Sequence, residues 1–311
     1  MIAFGPVPSR RLGRSLGINN IPPKVCSYSC AYCQLGRTTQ MQVERRPYYE
    51  PETIMTAVRD KVALAAQSGE PIDYLTFVPD GEPTLDINLG REIDLLRSLS
   101  IPIAVITNSS LIWRDDVKKE LARADWVSLK VDAVNEESWR QVNRPHGTLR
   151  LAAIQDGMLQ FARTYAGDLA TETMLVRNLN DSAEHVQGVA DFLARLRPHT
   201  AYLSIPTRPP AEEWARAPEE ALINRAYQIL TTKLHHVEYL IGYEGNAFAF
   251  TGHVHQDLLS ITAVHPMRRE AVDEFLERAG ADWSAIHQLV ESGQLIETPY
   301  EGRMYYMRKL H

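Results

Sequence analysis

An α/β fold built on a parallel sheet, open or curled toward a barrel, with a small second module at its C-terminal end, is what this 311-residue sequence predicts. Three observations lead there. From about residue 15 to residue 250, short apolar runs alternate with amphipathic, charge-decorated stretches. Several runs are continuously apolar, as in a sheet buried on both faces. The strand-helix unit recurs every roughly 30 to 40 residues, which favours right-handed βαβ crossovers. Taken in order, the strand candidates are 15–19, 73–78, 103–107, 126–132, 172–176, 202–205 and 237–241. Helices are expected over 51–67, 86–98, 183–196 and 218–234. Pro51 suits a first helical turn, and Asp181 is placed to cap the helix that follows it. Such sheets put their chemistry in the loops at the C-terminal strand ends.

After residue 250 the rhythm changes, so the chain divides into 1–250 and 251–311. A helix is expected over 267–279 and a second over 282–292. A hairpin pairs 295–297 with 303–307 across Pro299 to Gly302. Two helices and a terminal hairpin have the outline of a winged-helix module. From His255 to His311 there are nine acidic and six Lys/Arg residues, a net of −3. Its second helix carries Asp282 and Glu291 but no Lys or Arg. A DNA-reading helix is normally basic, so docking or a lid role is the better expectation.

The whole chain has 33 basic and 39 acidic residues, a formal net charge of −6, which is no global signature of a nucleic-acid binder. Apolar runs long enough to span a bilayer do not occur. The first residues bring Pro6, Pro8, Arg10 and Arg11 in place of a signal core, so a cytoplasmic location without membrane attachment is expected. There is no P-loop and no Gly-x-Gly-x2-Gly, so nucleotide hydrolysis and nicotinamide binding lack support.

All three cysteines fall in one eight-residue window, Cys26-Ser-Tyr-Ser-Cys30-Ala-Tyr-Cys33. An odd number at this spacing makes a poor disulfide framework, and a soft-metal site is the better reading. Four thiolates hold an ordinary 4Fe-4S cluster, so three would leave one iron open to a substrate chelate. Zinc needs a fourth ligand, and no Cys or His lies near enough in sequence to complete a compact site, although distant His253 or His255 could fold in. Three buried structural thiols would not explain the clustering. Cys26-x3-Cys30-x-Tyr32-Cys33, with an aromatic before the third cysteine, resembles the signature of radical S-adenosylmethionine (SAM) enzymes. The resemblance implies a (β/α)6 partial TIM barrel and Cys26, Cys30 and Cys33 as ligands of one 4Fe-4S cluster. It also implies SAM chelated at the open iron and cleaved by an electron from the cluster to a 5′-deoxyadenosyl radical. An electron donor such as ferredoxin or flavodoxin follows from the same chemistry.

Pro79-Asp80-Gly81-Glu82-Pro83-Thr84 resembles the family's Gly-Gly-Glu-Pro loop at the end of the second strand, with Asp80 in place of the first Gly. By that resemblance Asp80, Gly81, Glu82 and Pro83 face SAM, and Glu82 is the acidic partner of its ammonium. Beside them the resemblance places Tyr32, Asn108, Ser128, Lys130, Asp132, Glu172, Met174 and Ile205 at the cofactor. Ser128, Lys130 and Asp132 alternate along the fourth strand and so share a face. Asn143-Arg144-Pro145 is either a loop stop or an anion contact. His235-His236 and His253-Val-His255 read as structural.

Arg10, Arg11 and Arg14 precede the first strand and could clamp a phosphate or carboxylate, or form a solvated surface run. Lys130, Arg10 and Arg11 are the catalytic candidates. Within the superfamily the plan resembles the branch of wyosine-type tRNA synthases and nitrogenase-cofactor maturases. Hydrogen abstraction from an RNA or nucleotide, or from a peptide, is the expected reaction. A non-catalytic iron-sulfur electron-transfer or scaffold protein is the alternative, which would leave the Glu82 loop without a use. With every cysteine in one motif, a second cysteine-ligated cluster is not expected.

Overall fold

The computed structural model describes all residues except 242–247, 249, 265, 310 and 311. The chain begins with β1 (Ala3–Ser9), β2 (Gly13–Ile18), β3 (Val25–Cys26), β4 (Gln40–Met41), α1 (Pro51–Gln67), β5 (Tyr74–Phe77) and α2 (Leu89–Leu96). It continues with β6 (Ile103–Thr107), α3 (Asp115–Leu121), β7 (Trp126–Lys130), α4 (Glu136–Val142), α5 (Leu151–Thr164), β8 (Asp168–Met174) and α6 (Ala183–Leu196). Then follow β9 (Thr200–Ser204), α7 (Glu220–Thr231), β10 (Val237–Leu240), α8 (Val254–Val264), β11 (Met267–Arg268), α9 (Arg269–Ala279), α10 (Ser284–Glu291), β12 (Leu295–Tyr300) and β13 (Arg303–Arg308).

Among the described residues, eight strands form one sheet in the order β1-β2-β5-β6-β7-β8-β9-β10. All pairs are parallel except β1 with β2. The sheet is open between β1 and β10, as a partial barrel requires. It has seven parallel strands, one more than a six-stranded plan, and an antiparallel edge strand that the sequence pattern does not show. That edge strand reads Ala-Phe-Gly-Pro-Val-Pro-Ser. Proline cannot donate to a ladder and is tolerated only at an edge or bulge. Here it finds both, with a register shift between Phe4 and Val7.

Strand alternation sorts the side chains into two layers. Leu16, Leu75, Phe77, Val105, Val127, Leu129 and Leu203 join the core under the helices, against Ile54 and Val58 of α1 and Val189 and Leu193 of α6. Burying each such side chain stabilises the fold by about 1.5 to 3 kcal/mol. On the other face Ala104, Trp126, Ala170, Tyr202 and Leu240 fill the base of the barrel. Cross-strand register puts Lys130 beside Glu172, and Met174 beside Ser204, one layer nearer the C-terminal ends. A hydrophobic floor therefore lies under a polar mouth.

Element bounds depart from expectation where local chemistry decides them. The helix expected over 86–98 is α2, followed by a 3-10 turn, Arg97–Leu99, and a separate 3-10 turn, Pro83–Leu85, precedes it. The fifth and sixth strands begin earlier than expected because Asp168 and Thr200 join their ladders. Ser182, not Asp181, caps α6 by accepting the His185 N–H at 3.2 Å. Asp181 instead accepts the Asn178 N–H at 3.0 Å. Met267 and Arg268 form a short strand ahead of α9, and α10 is shorter than 282–292. The terminal strands run longer than expected and lie in a sheet ordered β11-β13-β12.

The segment from α8 onward has its own apolar cluster, including Leu258, Ile261, Val272, Phe275, Ile286 and Tyr306. It is fastened to the barrel by Arg278, whose guanidinium meets Glu70, which also takes Arg14. Among the described residues no helix is long and apolar enough to cross a membrane.

Candidate active site

Cys26 ends β3, which pairs with β4, so the intervening loop is closed at its base. Two tight turns follow inside it: the Cys33 N–H donates to the Cys30 carbonyl and the Gly36 N–H to the Cys33 carbonyl, both at 3.1 Å. Gly36 sits at φ +82°, a conformation that favours glycine. The loop is strapped from outside by Ala31 N–H to the Val142 carbonyl at 2.9 Å, and Ser29 N–H to the Asn143 carbonyl at 3.1 Å. On its other side the Glu212 N–H donates to the Ala31 carbonyl at 3.0 Å. Glu212 also binds Arg37 at 2.8 Å and Arg144 at 2.6 Å.

Amide N–H groups surround the three sulfurs. Asn108 Nδ2 reaches Cys26 Sγ and Asn143 Nδ2 reaches Cys30 Sγ, each at 3.5 Å. Backbone N–H groups of Tyr28 and Leu35 serve Cys26 and Cys33. Burial pushes all three thiols up, with Glu82 adding to the effect at Cys26. Burial and then Asp132 push Cys30 to about 12. Such thiols ionise when a metal supplies the positive charge, and N–H donors then hold the thiolates. Among the described residues no three His, Cys, Asp or Glu side chains are close enough to hold a single metal ion. Zinc would need its thiolates at about 2.3 Å from one centre, whereas a cluster binds each cysteine on a separate iron. The donor set therefore fits an iron-sulfur cluster with one iron left open.

The loop after β5 packs directly on this cysteine loop. A Cβ on Gly81 would stand 2.0 Å from the Val25 carbonyl oxygen. Glycine is required there for the loop-on-loop contact. The Glu82 N–H donates to that carbonyl at 3.1 Å. Four protein donors hold the Glu82 carboxylate. Oε1 accepts from Thr84 Oγ1 at 2.5 Å, Thr84 N at 3.1 Å and Thr107 Oγ1 at 2.6 Å, and Oε2 accepts from Asn108 N at 2.7 Å. Oε1 thereby ties two strand ends together, while Oε2 carries the Asn108 N–H. Pro83 opens the 3-10 turn and its carbonyl accepts from Asn20 at 3.2 Å. Asp80 is the contrast. It is 2% exposed, its Oδ1 has no hydrogen-bond partner, and burial raises its carboxyl to about 7. Its charge is felt by Cys33.

A cleft of about 290 Å3 opens at the strand ends and brings together eight expected residues: Arg10, Arg11, Tyr32, Cys33, Lys130, Glu172, Met174 and Ile205. Lys130 faces inward and binds Glu172 Oε1 at 2.6 Å, as their register dictates. Its ammonium stands 5.1 Å from the Tyr32 ring centroid. Arg11 pairs with the other Glu172 oxygen, and Ser204 Oγ donates to Oε1 at 3.0 Å. Burial opposes charge on Glu172, but Lys130 and Arg11 outweigh it and hold the carboxyl down at about 2. Burial likewise works against Lys130, and Glu172 with Asp132 more than offsets it.

The arginine trio is not one clamp. Arg14 turns to buried Glu70, while Arg10 and Arg11 enter the cleft. Ser128 lies one layer deeper than Lys130 on the same face and is 1% exposed, outside the cleft lining. Asp132 is beyond the end of β7, so strand alternation does not describe it. Its Oδ1 accepts the Met174 N–H at 2.8 Å, and its Oδ2 accepts Asn143 Nδ2 at 2.7 Å and the Tyr32 hydroxyl. Asp132 therefore fixes the aromatic that precedes Cys33. Asn108 likewise holds the cysteine loop, donating also to Ser27 Oγ at 2.9 Å.

Asn143, either a loop stop or an anion contact by sequence, is a sulfur donor linking Cys30, Tyr32 and Asp132. Glu212 has no motif, and its partner Arg37 is 175 residues away in sequence. From the C-terminal segment Tyr305 donates to the Thr207 carbonyl at 3.1 Å and Tyr300 to that of Pro206 at 3.4 Å, on the loop that lines the cleft.

The chain matches the sequence profile of the Radical SAM superfamily over residues 20–193. It is 47% identical over 311 residues to "UPF0026 protein MJ1312" of Methanocaldococcus jannaschii, covering 99% of this chain and 96% of that one. A solved structure of "TYW1 with a lysine-pyruvate adduct bound" superposes with a TM-score of 0.55 at 15% identity, over 71% of this chain and 74% of the other. A radical SAM methyltransferase from Sphaerobacter thermophilus gives 0.56 at 16% identity, over 73% and 66%. At these identities the two structures show the shared partial-barrel fold. With the cysteine motif, the fold and the profile in agreement, this chain is an enzyme of the radical SAM superfamily, whose cofactors are a 4Fe-4S cluster and SAM.

Proposed function

We propose that Cys26, Cys30 and Cys33 hold the single cluster and that SAM lies across the strand ends between the Asp80 loop and the cleft floor. When bound, the cluster supplies the electron that cleaves SAM to a 5′-deoxyadenosyl radical, which abstracts hydrogen from a substrate. The observation that carries this reading is the set of three half-buried thiols, each beside an N–H donor, at the mouth of the barrel. Asp80, with its unpartnered oxygen near Cys33, is the acid suited to SAM's ammonium. Lys130, Arg11 and Ser204, gathered on Glu172, present donors to SAM's carboxylate or ribose. Tyr32, Met174 and Ile205 supply apolar wall. Superfamily enzymes need a reductant, and a ferredoxin or flavodoxin is the donor proposed.

Residues 251–311 read best as a winged-helix-like lid. Support comes from the β11-β13-β12 sheet flanked by α8, α9 and α10, and from Tyr300 and Tyr305 gripping the loop after β9. Acidic net charge favours this over DNA reading. The test is anaerobic reconstitution, reduction and incubation with SAM. Wild type yields 5′-deoxyadenosine and Cys30→Ala yields none; equal yields from both would refute the assignment.

A further inference from the structure

Building on the reading that Cys26 holds the cluster and Lys130 presents its ammonium to SAM, we propose that Ser109 and Ser110 are positioning residues for that reaction. Ser109 places Lys130, and Ser110 places the amide that faces the Cys26 sulfur. Both lie on the turn Thr107-Asn108-Ser109-Ser110 that leaves β6, and both are buried, at 1% and 0% exposure. Neither is among the residues lining the cleft, so each acts through a neighbour.

β6 ends at Thr107, opposite Leu129 of β7. Beyond that point the Val131 N–H turns to the β8 side and donates to the Glu172 carbonyl at 2.9 Å. The Lys130 N–H turns to the β6 side, where the ladder has ended, and donates to Ser109 Oγ at 3.1 Å. The hydroxyl thus extends the ladder by one step, to the residue whose ammonium enters the cleft. Ser109 stands at φ +67°, a left-handed conformation that serine rarely adopts. The Ser109 N–H holds the turn by donating to Thr107 Oγ1 at 3.0 Å, and the Ile112 N–H donates to the Ser109 carbonyl at 3.1 Å. Glycine would take this φ freely, but it would leave the Lys130 N–H without that acceptor. A strained backbone at a buried polar residue beside a site points to a task for its side chain.

Ser110 acts on the other half of the site. Its N–H donates to Asn108 Oδ1 at 2.9 Å, which leaves Asn108 Nδ2 facing Ser27 Oγ at 2.9 Å and Cys26 Sγ at 3.5 Å. Its hydroxyl lies 2.6 Å from Ser27 Oγ, and Ser27 directly follows Cys26. Two contacts from one residue therefore fix both the amide and the chain beside the sulfur. N–H groups held against a cluster's sulfurs stabilise its reduced, more negative form.

The experiment uses the full chain, reconstituted anaerobically, and reads two quantities. SAM affinity comes from isothermal titration. The reduction potential of the cluster without SAM comes from a redox titration followed by electron paramagnetic resonance. Ser109→Gly removes the hydroxyl and relieves the backbone, and it should weaken SAM binding about fivefold, the loss of one neutral hydrogen bond. Its potential should move less than that of Ser110→Ala. Ser110→Ala should shift the potential to a more negative value, with a smaller effect on SAM affinity than Ser109→Gly. Ser27→Ala breaks the Ser110 contact from its other end and should shift the potential the same way. Thermal melting reports that the variants are folded. SAM affinity unchanged in Ser109→Gly would overturn the role of Ser109, and a wild-type potential in both Ser110→Ala and Ser27→Ala would overturn that of Ser110. Equal changes of both quantities in Ser109→Gly and Ser110→Ala would overturn the division between them, since the turn would then be one structural unit. SAM binding by Lys130→Ala as tight as by wild type would instead overturn the reading of Lys130 on which the role of Ser109 rests. A wild type that holds no cluster would overturn the reading of Cys26.

Discussion

Glu82 and Asn108 are joined end to end: the carboxylate accepts the Asn108 backbone N–H at 2.7 Å, and the Asn108 amide reaches Cys26 Sγ at 3.5 Å. Two strand ends and the first cysteine of the motif thereby form a single hydrogen-bonded unit. The acid of the Gly-Glu-Pro loop acts on the sulfur through a neighbour.

Glu82→Ala should therefore cost stability first. It leaves the donors of Thr84, Thr107 and Asn108 buried without their acceptor, a penalty on the order of 3 kcal/mol. Urea denaturation should show the loss, and iron content after reconstitution should fall with it. Asp80→Asn should leave stability unchanged or raised, since it removes a buried charge that has an unpartnered oxygen.

SAM binding should depend on pH through Asp80. Burial raises its carboxyl to about 7 from an ordinary 3.8, and a cationic ammonium prefers the ionised form. Affinity should therefore climb as pH rises from 6 toward 8, by up to about tenfold per unit below pH 7. The dependence should vanish in Asp80→Asn. The same shift makes folding stability decline between pH 4 and 7, because the folded chain there binds more protons than the unfolded one. Equilibrium titrations of SAM across this range give the comparison.

At the cleft floor, Glu172→Gln should destabilise the fold by on the order of 3 to 5 kcal/mol, because Arg11 and Lys130 lose their shared counter-charge in a largely buried place. Glu172 is held at about 2, below its ordinary 4.5. Its contribution is present above about pH 4.5 and is lost as pH falls toward 2. Acid unfolding of wild type should show this loss, and Glu172→Gln should lack that component.

Replacing Asn143 by Ala removes a donor to Cys30 and two supports of Tyr32 and Asp132. Fewer N–H donors leave the extra negative charge of a reduced cluster less stabilised. Its reduction potential should move to a more negative value, read by a redox titration followed by electron paramagnetic resonance. An unchanged potential would show that the amide serves the fold alone.

The cysteine motif of the family and the parallel sheet could be read from sequence because each is local: a spacing of three and two residues, and apolar runs with regular gaps. Lys130 facing inward follows from strand alternation. Partner choice does not, since the Glu82 carboxylate is held by residues up to 26 positions away and Asp132 by Tyr32, 100 positions away. That the surrounding donors reach the Glu82 carboxylate and leave Asp80 Oδ1 without one is encoded by no motif. The antiparallel β1 is hidden by Pro6 and Pro8, which only an edge position accommodates. Arg10, Arg11 and Arg14 look alike in sequence, and a buried Glu70 separates one from the others.

The most direct measurement of the open-iron account is electron paramagnetic resonance of the reduced, reconstituted chain before and after adding SAM, together with iron analysis. The account predicts about four irons per chain, a signal that shifts when SAM binds, and loss of both in Cys30→Ala. A cluster whose signal ignores SAM, or iron retained in full by Cys30→Ala, would contradict it.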